Sequence, residues 1–148
     1  MTKKICGYCG IELTRANTDK EHVFPKCLYP KSKRNSKIQR LTIPSCNSCN
    51  NGWSDDEAHF RNILMVAGDA PNSPRQEIWN GPILRSFDEI DGSKRLNELY
   101  QLLKPTCVDD QERYRVFPAE DDRILRIVRK IVRGLCYHHK VLYPVMEN

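Results

Sequence analysis

The sequence lacks any long hydrophobic run. No apolar stretch approaches the roughly 20 residues that a membrane-spanning helix needs, which argues against a membrane protein. The segment MTKKICGYCG has two lysines without a hydrophobic stretch behind them, so we expect no secretory signal and a cytoplasmic location. Internal repeats and low-complexity tracts are also missing. With 148 residues, one ordinary domain, or a small stapled module with a helical appendage, is the default.

Seven cysteines in a chain without an export signal indicate metal binding, because reducing compartments keep thiols free and an odd number cannot all pair. Two Cys-x-x-Cys pairs, Cys6 with Cys9 and Cys46 with Cys49, have the spacing of a tetrahedral four-cysteine zinc site. Such a site leaves no position for substrate, so its zinc would be structural. A redox pair is the alternative, but the glycine- and asparagine-rich context is not thioredoxin-like. The remaining cysteines are expected to be small buried side chains: Cys27, Cys107 and Cys136.

Charge is segregated along the chain. Residues 1–52 contain ten Lys and Arg against three Asp and Glu, residues 53–122 contain eight against fifteen, and residues 123–148 contain six against one. This pattern, with basic segments at both ends and an acidic segment between them, is typical of a protein with a surface that binds a polyanion. Solvated faces that differ in sign are the alternative.

The head, to about residue 51, predicts short strands and loops, with a strand over 40–44 that ends at Pro44. Ser54 and Glu57 match a capping box, which predicts a helix as far as Gly68. Residues 70–82 are typical of a connection. A second helix is predicted over 93–104.

The last predicted helix has Pro118 in its first turn. Its apolar face is predicted from Ile124, Ile127, Val128, Ile131, Val132 and Leu135. Its polar face is predicted from Arg126, Arg129, Lys130 and Arg133, with the arginines in solvent or on phosphate.

The segment DKEHVFPKC, residues 19–27, lies between the two cysteine pairs. Adjacent side chains on a strand point to opposite faces, so Glu21 and His22 can serve one site only where the backbone bends. Pro25 is consistent with a strand end at that point. Taken alone, the pair would be an ordinary surface glutamate beside a half-buried histidine.

The order of Cys-x-x-Cys, EHVFP and CNSCN over residues 6–60 resembles the HNH endonuclease family, whose fold is the ββα-metal finger, and in particular its zinc-bound branch, such as the phage recombination endonuclease VII. The resemblance implies that Glu21 binds a catalytic divalent metal, that His22 is the general base, and that Asn50 is a second metal ligand. Oxygen ligands of this kind suit Mg²⁺ or Mn²⁺, and a neutral imidazole can take a proton at cellular pH.

The sequence departs from the family pattern at the asparagine that orients the histidine. That place falls near Leu41 or Thr42. A backbone carbonyl, Thr42 or Asn35 substitutes for it, or the site is inactive. The third metal ligand is also open among Ser54, Glu57 and His59. Nucleic-acid contacts are assigned more weakly to six basic residues: Lys20, Lys26, Arg34, Arg126, Arg129 and Arg133.

These patterns predict an α+β fold, with a zinc-stapled ββα-metal nuclease core over residues 1–68 and a mainly helical region over 69–148 packed on it. The leading hypothesis is a metal-dependent DNA endonuclease with a structural Zn²⁺ and a catalytic Mg²⁺ or Mn²⁺. A non-catalytic zinc-ribbon protein that binds nucleic acid, or acts as an adaptor, is the alternative. The expected partners are DNA and, where two chains pair, a second copy in a homodimer.

Overall fold

A computed structural model describes residues 4–33, 40–67, 73–115 and 121–141. It contains two small antiparallel sheets and several helices, which confirms the α+β class. Within the described residues, no helix has the length and apolar character needed to cross a membrane. The strands are β1 (Thr18–His22), β2 (Thr42–Cys46), β3 (Lys104–Val108) and β4 (Gln111–Arg115); the helices are α1 (Asn47–Asn51), α2 (Ser54–Ala67), α3 (Ser73–Ile78), α4 (Leu84–Phe87), α5 (Gly92–Leu102) and α6 (Asp122–His139).

The first sheet pairs β1 with β2, with Glu21 opposite Ile43 and His22 opposite Thr42. The predicted strand end at Pro44 is wrong, since β2 continues to Cys46. The Pro44 carbonyl accepts from the Gly7 amide at 2.9 Å, on the side away from β1. A proline is tolerated there because its missing N–H would not have joined the ladder.

Helix α2 begins one residue away from the predicted cap. The Glu57 amide donates to the Trp53 carbonyl at 2.8 Å, so Ser54 is already the first helical residue. The Glu57 carboxylate does not close a capping box, because it pairs with Lys130 of α6. The predicted end at Gly68 and the boundary between residues 68 and 69 lie outside the described residues.

The segment predicted as a connection is helical over 73–87. Pro82 lies within a π-helical turn, Trp79–Ile83, that joins α3 to α4. A π turn accommodates the amide that proline lacks. Ile78 and Ile83 are buried and anchor the segment.

The sequence does not predict the β3–β4 hairpin, and the helix predicted over 93–104 ends earlier than expected. Helix α5 ends at Leu102 instead, and Pro105 lies in β3 opposite Tyr114. Asp109 and Asp110 form the two-residue turn with φ of 51° and 58°, the left-handed pair that a type I′ turn requires. Cys107, expected to be buried, is exposed on this hairpin.

Helix α6 is capped by Asp121, whose Oδ1 accepts from the Arg123 amide at 2.9 Å and the Ile124 amide at 3.4 Å. Pro118, predicted in the first turn, lies outside the described residues. The buried face of α6 is rotated from the predicted stripe: Val128 and Val132 are exposed, while Lys130 and Gly134 are buried.

Two hydrophobic clusters form the core, and Ile131 of α6 packs against both. The cysteine-side cluster is built from Cys6, Tyr8, Leu13, Val23, Ile43 and Cys46. The helix-side cluster is built from Phe60, Ile63, Leu99, Ile124 and Ile127.

Gly134 explains the close approach of α6 to the end of β1. A Cβ on Gly134 would lie 2.8 Å from Val23 Cγ2 and 2.9 Å from its Cγ1, closer than carbon atoms pack. Only glycine allows this contact. Lys130 lies one helical turn from Gly134 and on the same side of α6, so the contact also sets the depth at which Lys130 meets β1.

Candidate metal centre and acid–histidine site

The four cysteines of the two Cys-x-x-Cys pairs come together. Their Sγ atoms all lie within 4.8 Å of one another, and Cys9 Sγ is 3.8 Å from Cys46 Sγ. Tetrahedral zinc with Zn–S bonds of about 2.3 Å requires S···S edges of about 3.8 Å. The predicted cluster of Cys6, Cys9, Cys46 and Cys49 therefore fits a zinc ion, which would supply folding free energy.

Hydrogen bonds and charge within the cluster also favour a cation. Burial raises the pKa of the Cys6 thiol, but backbone amides, including Cys9 and Cys46, outweigh it and lower that pKa to about 7. Burial and the neighbouring Cys6 raise the pKa of Cys49, because a second thiolate beside the first is repelled. A bound cation removes this repulsion, since thiolates are its ligands.

His22 ends β1 and is half-buried. Its Nδ1 is buried and has no hydrogen-bond partner among the described residues. Thr42, a predicted orienting partner, lies opposite His22 in the sheet without bonding to that nitrogen, and Asn35 is outside the described residues. Burial lowers the pKa of His22, and the positive charges of Lys26, Arg40 and Lys130 lower it further. The imidazole is therefore neutral at neutral pH.

Glu21 precedes His22 in β1. Its carboxylate and that of Glu57 both contact the buried ammonium of Lys130. Lys130 Nζ donates to Glu21 Oε1 and to Glu57 Oε1, and its side chain is 0% exposed. Glu57, assigned weakly from the sequence, thus joins the same cluster as Glu21. The prediction that Lys130 lies on the polar face of its helix is wrong, because the two carboxylates supply the hydrogen bonds that burial of an ammonium requires.

Tyr8 is close enough to both the acid pair and two of the four cysteines for their charges to act on it. Its ring lies 6.1 Å from that of Trp53. Burial raises the pKa of Tyr8, and the charges of Glu21 and Glu57 raise it further. The Tyr8 hydroxyl and Trp53 Nε1 are buried and, within the described part of the chain, have no hydrogen-bond partner. Together with His22 Nδ1 they are polar atoms that a bound water or ligand would satisfy.

The Asn50 side chain lies beside β1. Its Nδ2 donates to Asp19 Oδ2 at 2.8 Å. Asp19, which was not predicted as a site residue, lies two residues before Glu21 and therefore on the same face of β1. Glu21 and Glu57 offer carboxylate oxygens of the kind that Mg²⁺ and Mn²⁺ prefer, and Lys130 pairs with both of them in this structure.

The basic residues assigned to nucleic acid are mostly at the surface. Lys20, Lys26 and Arg129 are exposed. Arg126 is exposed and pairs with Asp56 at 3.3 Å, Arg133 is partly buried, and Arg34 is outside the described residues. Arg40 was overlooked in the sequence. It lies 4.5 Å from the centre of the Tyr29 ring and is one of the charges that act on His22.

His59, weighed as a metal ligand, has another partner. Its Nε2 lies 2.7 Å from Asp121 Oδ2. Burial opposes the ionisation of Asp121, but His59 and Arg123 outweigh it and lower the pKa of that carboxyl. The pair fastens the start of α6 to α2, and His59 has a structural role in this arrangement.

Lys130 is, with Asp19 and Arg40, one of the site residues that were not predicted from the sequence, and its side chain is fully buried. The available signal was a lysine flanked by Ile127 and Ile131 on a strongly amphipathic helix. Its partners lie 109 and 73 residues away along the chain, so local periodicity does not reveal them.

Comparisons with protein-family models, with curated proteins and with solved structures gave no match for this chain. The family resemblance therefore rests on the motifs within residues 6–60. The function is argued from the geometry of the site.

Proposed function

We propose that the chain is a zinc-stabilised, metal-dependent DNA endonuclease of the HNH type, which hydrolyses phosphodiester bonds with His22 as general base. The observation that carries the proposal is the position of His22. It stands at the end of β1, next to the buried Glu21 in the sequence, with the positive charges of Lys26, Arg40 and Lys130 acting on it.

The order of elements supports a ββα-metal finger. Strands β1 and β2 pair antiparallel, α1 and α2 follow directly, and the four cysteines join the residues before β1 to the end of β2. Glu57 of α2 meets Glu21 of β1 through Lys130. The acid pair therefore lies between the sheet and the helix that follows it.

Phosphodiester hydrolysis needs a group that removes a proton from the attacking water. A neutral imidazole does this at cellular pH, and positioned general bases accelerate such steps by about 100- to 10,000-fold. His22 meets the requirement because burial and the nearby cations keep its ring neutral.

The same cations favour a phosphate near His22. Lys26 and Arg40 act on His22 electrostatically, and Arg126 and Arg133 border Lys130 on α6, because residues three and four apart share a helix face. Such a positive surface attracts the DNA backbone and makes binding depend on salt.

A divalent ion held by Glu21, Glu57 and the amide oxygen of Asn50 would stabilise negative charge on the scissile phosphate and the leaving oxygen. Glu21 has the burial required of a rigid ligand. Asp19 fixes the Asn50 side chain through its amide nitrogen.

A second candidate is a zinc-ribbon protein that binds nucleic acid without cutting it. It is favoured by the Lys130 ammonium, which already neutralises part of the charge of Glu21 and Glu57. It is also favoured by the absence, among the described residues, of a hydrogen bond that would orient His22 Nδ1.

Cleavage of supercoiled plasmid tests the proposal. Zinc-loaded protein with Mg²⁺ or Mn²⁺ should convert supercoiled to nicked or linear DNA, and His22→Ala should lower the rate at least about 100-fold because the general base is lost. His139→Ala is the matched control, since His139 is exposed at the end of α6.

Equal cleavage by wild type and His22→Ala would refute the assignment. DNA binding that weakens with salt, without cleavage in either metal, would establish the second candidate instead. Cleavage that survives in His22→Ala but is lost in Glu21→Gln would move the catalytic base away from His22.

A further inference from the structure

Two carboxylates from distant parts of the chain converge on one buried point. Glu21 belongs to β1 and Glu57 to α2, and both place Oε1 against the same Lys130 nitrogen. An ammonium between two carboxylate oxygens has the charge and the oxygen surroundings of a bound metal cation. We propose that Lys130 is the resident cation of this site and that a divalent ion binds there by displacing it.

The charge balance of the site favours exchange. Two carboxyl groups face one ammonium. Lys130 can neutralise only one carboxylate, whereas a divalent ion would neutralise both at once.

An unsatisfied polar atom near the carboxylates supports a ligand other than Lys130. Tyr8 is 4% exposed, its hydroxyl has no hydrogen-bond partner among the described residues, and Glu21 and Glu57 both act on it electrostatically. A divalent ion keeps several bound waters, and such a water would provide a partner for the Tyr8 hydroxyl.

Displacement requires the Lys130 ammonium to leave a fully buried position. The flexible four-carbon stem of lysine allows a change of rotamer, and Arg126, one helical turn away on α6, is exposed.

Electron paramagnetic resonance, which measures Mn²⁺ binding to the zinc-loaded full chain without DNA, tests the exchange. The inference rests on the metal site of the proposed function, and this measurement tests it separately from cleavage. If the lysine is out of the site for a tenth of the time or less, removing its charge should tighten Mn²⁺ binding by about ten-fold or more. Lys130→Met keeps most of the stem and removes the ammonium. Arg129→Met is the matched control on the exposed side of α6 and should bind Mn²⁺ as the wild type does.

Thermal unfolding gives a second measure in the same samples. Mn²⁺ should raise the midpoint of Lys130→Met more than that of the wild type or of Arg129→Met, because a ligand stabilises the folded state according to its affinity. The double variant Lys130→Met with Glu57→Gln should lose the gain, since one of the two carboxylates is gone. Unchanged Mn²⁺ affinity in a folded Lys130→Met protein would overturn the proposal.

Amine labelling of the wild type decides the question if Lys130→Met does not fold. Lys130 should resist acetylation while exposed Lys20 and Lys26 react, and saturating Mn²⁺ should increase labelling of Lys130 several-fold because the displaced amine meets solvent. Mn²⁺ binding that leaves Lys130 protected would show that the ion uses another site and would refute the exchange.

Discussion

The contact between Gly134 and Val23 provides a sharp test of how α6 meets the acid–histidine site. In Gly134→Ala, the added Cβ would lie 2.8 Å from Val23 Cγ2 and 2.9 Å from Cγ1. Val23 is fully buried, so its methyl groups have little space to move. The substitution should weaken the packing of α6 on β1, although alanine is the better helix former.

The magnitude follows from two opposing effects. Alanine in place of glycine stabilises a helix interior by about 1 kcal/mol. Overpacking of a buried site costs about 1–3 kcal/mol, so Gly134→Ala should lower the free energy of unfolding by up to about 2 kcal/mol. Val23→Ala alone removes two buried methyl groups and should cost about 2 kcal/mol.

The double variant distinguishes a steric contact from two independent effects. Once Val23 loses both Cγ atoms, the two closest contacts of the new Cβ are gone and the Val23 Cβ remains at 3.2 Å. The two substitutions should then be less damaging together than the sum of their separate costs, with a coupling of about 1–2 kcal/mol. Urea unfolding of the zinc-loaded proteins, followed by circular dichroism, measures all four free energies.

Gly81→Ala is the matched control, because a Cβ there would meet no atom within 4 Å. It should not couple to Val23→Ala. Additive free energies for Gly134→Ala and Val23→Ala would refute the close packing of α6 on β1, and with it the placement of Lys130 beside Glu21.

Two further substitutions test the zinc cluster and the start of α6. Cys49→Ser should reduce bound zinc, measured by elemental analysis, from one ion per chain to a small fraction, because the site needs four thiolates. Cys107→Ser, which changes the exposed cysteine of the hairpin, should leave the bound zinc unchanged. Equal zinc in both variants would contradict the assignment. Asp121→Asn should cost about 2 kcal/mol at pH 7, since it removes a buried carboxylate that is hydrogen-bonded to His59 Nε2. The pKa of Asp121 is lowered in the folded protein. The carboxylate therefore contributes fully to the free energy of unfolding above its ordinary pKa of about 4, and this contribution declines as the pH falls through the lower folded value. A stability difference between wild type and Asp121→Asn that stays constant from pH 7 to pH 3 would refute this contribution.

The four-cysteine cluster was predictable because the spacing within each Cys-x-x-Cys pair is a local feature of the sequence. Two Cys-x-x-Cys turns each fix a pair of thiolates, and only the meeting of the two turns depends on the fold. Glu21 and His22 were likewise found from their place between the cysteine pairs. Their assigned roles in catalysis stay predictions.

The environment of the site was not predictable from local patterns. A 3.6-residue periodicity identified α6 but rotated its buried face, because Lys130 is buried by two distant carboxylates and Gly134 by a close contact with Val23. The β3–β4 hairpin was not predicted because Pro105 lies within β3, and proline ordinarily argues against a strand. Asp residues tolerate the left-handed backbone of the Asp109–Asp110 turn, and that was the signal available in the sequence.

The wide sequence separation of Lys130 from Glu21 has a consequence for biosynthesis. The chain emerges from the ribosome at about 5–20 residues per second, so the cysteine-bearing head and both glutamates are synthesised several seconds before Lys130. During that interval the nascent chain lacks the ammonium that pairs with both glutamates in the folded protein. The buried cluster can therefore form only after α6 has been synthesised.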